Sequence, residues 1–136
     1  MKVIVDTNVW ISFLLGKRLT MLRCLFNRDD IKIFVSEILL KEIREVSCRP
    51  KFKDKIKQKS LDLLFMLIGS RCEIVASTNE ADIYVRDKKD VFLLSIAKNI
   101  NADYLITGDQ DLLILEQFEG TRILTFSDFM DQISPN

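Results

Sequence analysis

The chain opens Met1-Lys2-Val3-Ile4-Val5-Asp6-Thr7-Asn8, and its β-branched run Val3-Ile4-Val5 leaves no room for the alternation of a strand with one wet face. A strand of this composition is covered on both sides, as happens when helices lie over the two faces of a parallel sheet. The run stops at Asp6, so a carboxylate stands at the carboxyl end of a central strand. That edge is where open α/β sheets hold their ligands. An Asx-turn, in which the aspartate bonds its own backbone, would close such a strand equally well.

Further along, strand and helix signals alternate. Residues 9–15 read as a buried helix stopped by Gly16, 19–26 as a short second helix, 31–35 as a strand, and Ser36 as the N-cap of a helix over 37–46. Pro50 marks a break, after which a helical pattern runs through Leu61, Leu64, Phe65 and Ile68 to Gly69. Ile74 and Val75 suggest an edge strand, 77–90 a polar connection, 91–100 an apolar helix and 104–107 a strand. Gly108-Asp109-Gln110-Asp111 opens another helix to Leu115, 122–124 is a last strand, and Ser127 caps a C-terminal helix. This order predicts a three-layer α/β/α sandwich with a mostly parallel central sheet of about five strands. One domain over 1–136 is expected, since a chain of 136 residues buries about 68% of its unfolded surface.

Composition excludes much chemistry. Histidine is absent, which removes Ser-His and Cys-His nucleophiles, imidazole bases and His-ligated metals. Cys24, Cys48 and Cys72 are odd in number and widely spaced, against a disulfide framework or a thiolate zinc site. With 20 basic and 20 acidic residues the net charge is zero, so no bulk attraction to nucleic acid is indicated. No apolar run is long enough to span a bilayer, and Met1 leads straight into a strand without a basic, apolar leader. A cytoplasmic protein without a membrane partner is expected.

Catalysis would then rest on carboxylates, hydroxyls, lysines or a bound ion. Right-handed crossovers put every strand-to-helix junction on one edge of the sheet. Asp6 follows the first strand, Asp109 and Asp111 follow the strand ending at Thr107, and Asp90 opens the helix before that strand. Glu42 joins them by helical phase. At ~100° per residue from Ile38 it falls at about 40°, inside the stripe that continues to Val46 at about 80°, whereas Glu37 and Glu45 fall outside it or at its margin. Asp90 and Asp109 could equally be helix caps, worth about 1 kcal/mol each, a role compatible with ligation. Two like charges ~4 Å apart repel by about 4 kcal/mol at an effective dielectric near 20, so a convergent Asp6, Glu42, Asp90 and Asp109 would need protons or a cation. An all-oxygen site without His or Cys selects Mg²⁺ or Mn²⁺. Such an ion polarises a phosphodiester and acidifies a bound water.

These pieces resemble the PIN domains. The matching segments are Asp6-Thr7-Asn8 after the first strand, Ser36 with Glu42, Asp90 followed by Ala97, and Thr107-Gly108-Asp109-Gln110-Asp111. With the order of strands and helices, the resemblance covers nearly the whole chain. Arg86-Asp87-Lys88-Lys89-Asp90 and the segment around Arg49-Pro50-Lys51 look most like the PIN-family toxin of bacterial and archaeal type II toxin-antitoxin systems. One departure is that Lys88 and Val91 stand where a proline and a further acid are expected. The resemblance implies a metal-dependent ribonuclease with Asp6, Glu42, Asp90 and Asp109 as catalytic and metal-holding acids. Asp111 would be an auxiliary metal acid, with Asn8, Ser36 and Thr107 supporting the site through hydrogen bonds. It also implies single-stranded RNA as substrate, a homodimer, and silencing by a small antitoxin protein.

RNA calls for positive charge near the acids. Arg49, Lys51, Lys55 and Lys59 would supply it, the three lysines on one face if their helix starts early, against the alternative of a solvated basic surface. Lys17, Arg18, Arg23 and Arg28 form a second candidate rim. Trp10 and Phe13 read as core, and Met66 as core or dimer face. Two other classes compete. An aspartyl phosphatase would want an acid two residues after Asp6, where Asn8 stands and cannot protonate a leaving group. A catalytically silent PIN-like module that binds RNA or protein keeps every motif without turnover.

Overall fold

The computed structural model describes residues 1–16, 19–75 and 89–134; the side chains of Leu19, Lys89 and Asp90 lie outside that description. Lys17, Arg18 and the polar connection with Arg86, Asp87 and Lys88 therefore lie outside the described residues.

Strand β1 (Lys2–Val5) passes into α1 (Thr7–Leu15) and α2 (Leu19–Phe26), then β2 (Lys32–Ser36) into α3 (Glu37–Ser47), α4 (Pro50–Lys53) and α5 (Gln58–Arg71). After β3 (Glu73–Val75) come α6 (Lys89–Ile100), β4 (Tyr104–Ile106), α7 (Gln110–Leu113), β5 (Gln117–Phe118), β6 (Thr121–Leu124) and α8 (Phe126–Ile133). The sheet runs β3-β2-β1-β4-β6-β5, parallel throughout except for the final β5–β6 pair. Among the described residues the sheet has six strands, where about five are expected. The extra one, β5, is two residues long, too short to show a periodic pattern, and the positive φ of Glu116 and Glu119 (61° and 51°) brackets its hairpin.

Alternation along the strands sorts side chains to two faces. Val3 and Val5, with Ile33, Val35, Ile106 and Leu124, meet Trp10, Phe13, Leu22, Leu64 and Phe129 from α1, α2, α5 and α8. Ile4, Leu105 and Ile123 meet Phe92, Leu93, Ile96 and Ala97 of α6 and Leu112 of α7 on the opposite face. This is the α/β/α sandwich that the Val3-Ile4-Val5 run requires. Its consequence for the site is in the strand order: from β1 the chain goes outward to β2 and β3, then returns to β4 on the other flank. The order reverses between β1 and β4, and at such a switch point the two flanking connections part and leave a crevice above the carboxyl ends of the strands.

Two boundaries and one side chain's burial differ from the sequence reading. Helix α5 passes through Gly69 to Arg71, because a glycine in a helix interior costs only about 1 kcal/mol and Leu61, Leu64 and Ile68 anchor the helix in the core. Thr125, not Ser127, caps α8, its hydroxyl accepting from the Asp128 N–H at 3.1 Å. Phe126 is drawn into the core, its ring 4.9 Å from that of Phe13, so the helix must start before Ser127. Met66 is 63% exposed and is not core.

Candidate functional site

Asp6, Ser36 and Thr107 each sit at the carboxyl end of one of three neighbouring parallel strands, and all three are fully buried. Asp6 is the N-cap of α1 in extended conformation, yet its side chain makes no capping bond, which rules out the Asx-turn as its explanation. Its Oδ2 instead accepts from the Thr107 hydroxyl at 2.8 Å. The same hydroxyl oxygen accepts from the Asp109 N–H at 3.0 Å. Thr107 thus links β1 to the start of α7 across the switch point. The backbone is equally fixed: the Asp6 N–H donates to the Ile106 carbonyl at 2.9 Å, and the Asp6 carbonyl accepts from Val9 and Trp10.

Ser36 caps α3 as its position before the helix requires, accepting from the Leu39 N–H at 3.0 Å. That cap sets the phase of α3, and the phase decides the fate of its acids. Glu37 and Glu45 are exposed, whereas Glu42 is 9% exposed, between buried Leu39, Ile43 and Val46. Buried glutamate is uncommon because removing a carboxylate from water costs several kcal/mol, roughly, unless hydrogen bonds or a cation compensate.

The other acids divide. Asp109 is exposed and caps α7, its Oδ1 accepting from the Asp111 N–H at 2.9 Å, with Asp111 exposed in the first turn. Asp90 lies in the first turn of α6 one residue beyond its start; the side chain is outside the described residues. The helix ends at Ile100 next to the amino ends of β4 and β1, where Asp103 binds the Lys2 N–H, so its N-terminus faces the carboxyl edge. Asn8 is exposed in the first turn of α1. Among the described residues no three acidic, thiol or imidazole groups stand close enough to hold a metal ion. The donor chemistry nonetheless suits a hard divalent cation: Asp6 and Glu42 are buried carboxylates, and Oγ1 of Thr7, fully buried beside Asp6, has no hydrogen-bond partner among the described residues. Thr7 carried no sequence signal beyond its place between Asp6 and Asn8.

The basic segment does not form the single face that an early helix would make. Lys51 belongs to α4, Asp54 ends that helix, Lys55 lies in the following turn and Lys59 in α5. Ile56 packs against the core between the two helices, which forces the break. Arg49, Lys51, Lys55 and Lys59 are all exposed. Arg28 is removed from the second rim, because its guanidinium grips both carboxylate oxygens of Asp30 at 2.9 and 2.7 Å and the Ile133 carbonyl at 2.9 Å. Cys24, Cys48 and Cys72 are free thiols. A concavity of about 960 Å³ lined by Leu113, Leu115, Arg122, Thr125, Asp128 and Gln132 lies beside β6 and includes none of the site acids.

A doubly wound parallel sheet with a buried carboxylate, Asp6, at its switch point defines a class of α/β proteins built to act on a ligand at that edge. A sequence model of the PIN domain matches residues 2–111, which takes in every residue of the site, and the chain belongs to that family, whose members are generally nucleases. An uncharacterized protein of Methanocaldococcus jannaschii is 30% identical over 120 residues, covering 84% of this chain and 74% of that protein. In fold, the chain is similar to the crystal structure of VapBC2 from Rickettsia felis bound to a DNA fragment from their promoter. The TM-score is 0.61 at 20% identity, with 93% of this chain and 99% of that chain covered. No helix among the described residues is long and apolar enough to cross a membrane.

Proposed function

We propose that residues 1–136 act as one PIN-like domain that hydrolyses phosphodiester bonds of single-stranded RNA with Mg²⁺ or Mn²⁺, as the cytoplasmic toxin of a toxin-antitoxin pair. The observation that carries this reading is the Asp6 carboxylate, buried at the switch point and turned away from its helix toward Thr107. A carboxylate kept for helix capping would bond the first turn of α1. One turned to a second strand's hydroxyl has been given a fixed direction, as a metal ligand needs.

Asp6, Glu42, Asp90 and Asp109 would hold the ion, with Asp111 as auxiliary acid and Asn8 and Ser36 in support. When bound, the ion supplies Lewis acidity toward the phosphodiester and lowers the pKa of a water. The rest is the chain's own work. Thr107 donates to Asp6 and fixes the direction of its carboxylate, Ser36 fixes the phase that buries Glu42, and the burial of both acids excludes bulk water. Arg49, Lys51, Lys55 and Lys59 would attract the RNA backbone from separate positions around the α4–α5 turn. The fold shared with VapBC2 supports the partner half of the proposal, an antitoxin protein that covers the acids, and a homodimer is compatible with it.

The test is cleavage of single-stranded RNA by the purified chain across Mg²⁺ and Mn²⁺ concentrations, beside Asp6→Asn. Wild type should cleave only with metal, and the variant should fold as wild type and lose at least ~100-fold in rate, the upper end of what even an indirect support of a metal ligand contributes. RNA that is bound but left intact by both proteins sinks the nuclease and leaves a binding module.

A further inference from the structure

An aspartate that ends a strand and opens a helix ordinarily folds its carboxylate onto the N–H groups of the first turn. Asp6 does not, so the main chain of the β1–α1 passage must aim its side chain at Thr107. Three of the bonds that fix this passage are ordinary: Asp6 N–H to the Ile106 carbonyl at 2.9 Å, and Val9 and Trp10 N–H to the Asp6 carbonyl at 3.0 and 3.2 Å. The fourth is not. The indole Nε1–H of Trp10 reaches back five residues and donates to the Val5 carbonyl at 3.0 Å.

That carbonyl belongs to the peptide plane directly before the Asp6 Cα. Because the peptide unit is rigid, the rotation of this plane sets the direction in which the Asp6 side chain leaves the backbone. The donor is itself immobile: Trp10 is 0% exposed, stacked on Phe26 at 6.3 Å and 28°, and met edge-on by Phe13 at 6.0 Å and 80°. A phenylalanine would fill this core position with a similar apolar ring but without the polar tip.

We propose that Trp10 is a positioning residue for the Asp6 carboxylate, holding through the Val5 carbonyl the peptide that turns Asp6 toward Thr107 and away from the helix. Its consequence for metal binding rests on the reading of Asp6 as a metal-holding acid, whereas its effect on the turn does not.

The test uses the full chain as wild type, Trp10→Phe and Leu64→Val, the last a control that loosens the same core from α5. Amide hydrogen exchange is followed by NMR without metal, and Mn²⁺ binding by electron paramagnetic resonance. In Trp10→Phe the Asp6 and Asp109 amides should exchange about tenfold faster and Mn²⁺ should bind about tenfold more weakly, the scale of a disturbed ligand support; Leu64→Val should move neither. Unchanged exchange at Asp6 and Asp109 in Trp10→Phe, or equal acceleration in Leu64→Val, overturns the proposal. Should Trp10→Phe fail to fold, the unaltered protein decides, since Trp10 is its only tryptophan. Coupling is reciprocal, so Mg²⁺ should slow exchange of the indole N–H, and Mg²⁺ that binds without slowing it overturns the assignment. A wild type that cleaves no RNA would remove the nuclease reading alone, because the metal-free exchange rates still judge Trp10.

Discussion

Thr107 is the residue through which the site is wired, since its one hydroxyl donates to Asp6 and accepts from the Asp109 N–H. Thr107→Val keeps the shape of the side chain and removes both bonds, leaving a buried carboxylate short of a donor. Stability in urea should fall by about 1–3 kcal/mol, and metal-dependent RNA cleavage by about 10- to 100-fold. Cleavage at the wild-type rate would mean that Asp6 needs no such orientation. Ser36→Ala removes the α3 cap and should cost about 1 kcal/mol of unfolding free energy. The thiols offer a check on packing: burial pushes the Cys72 thiol up to about 12, while Cys24 and Cys48 are exposed. The thiolate is the reactive form, so near pH 8 a thiol reagent should modify Cys24 and Cys48 and spare Cys72 until the protein unfolds. Three equally fast thiols would contradict the packing of Cys72 against the core.

At the scale of elements, the break between α4 and α5 changes how the basic segment can act. Lys51, Lys55 and Lys59 do not form one ridge, so RNA would have to wrap the turn to meet all three. Replacing the three by alanine should weaken single-stranded RNA binding and lower its salt slope by about 0.7 for each phosphate no longer neutralised. The rate at saturating RNA should stay as it was, since these side chains are exposed and would act on the RNA backbone. A triple variant with unchanged affinity and slope identifies the segment as ordinary solvated surface. The hairpin strand β5 and the cap at Thr125 are products of the same rule. Each is imposed by a neighbour, β6 for one and Phe13 against Phe126 for the other, and neither has a local pattern of its own.

Over the whole molecule, the amino edge of the sheet is closed by contacts distant in sequence. The Met1 ammonium donates to the Asp30 carbonyl at 2.6 Å, Arg28 grips Asp30 and the end of α8, and Asp103 accepts the Lys2 N–H at 2.8 Å. The Arg28 hydrogen bond holds the Asp30 carboxyl below the usual carboxylate range. A carboxyl whose pKa is lower folded than unfolded contributes its stability above the unfolded value and loses it as pH falls through the folded one. The thermal midpoint of wild type should therefore fall toward acid, with a smaller fall for Asp30→Asn; identical acid limbs would show that this exposed pair is screened. At the opposite edge the reversal of strand order between β1 and β4 opens the crevice, and there the Asp6 carboxylate meets the Thr107 hydroxyl.

Much of this was legible in the residues themselves. Val3-Ile4-Val5 declares a strand covered on both faces, Ser36 declares the start of α3, and three turns of that helix place Glu42 in the apolar stripe, because burial and helical phase are written in short-range pattern. What only the tertiary structure decided is which groups from distant segments meet. The Thr107 hydroxyl on Asp6 joins residues 101 apart in sequence, and nothing in either segment specifies the other as partner. Nor could the pattern tell that Trp10, correctly read as core, carries a polar tip on the Val5 carbonyl, since apolar periodicity reports which face is buried and is blind to where one buried donor finds its acceptor.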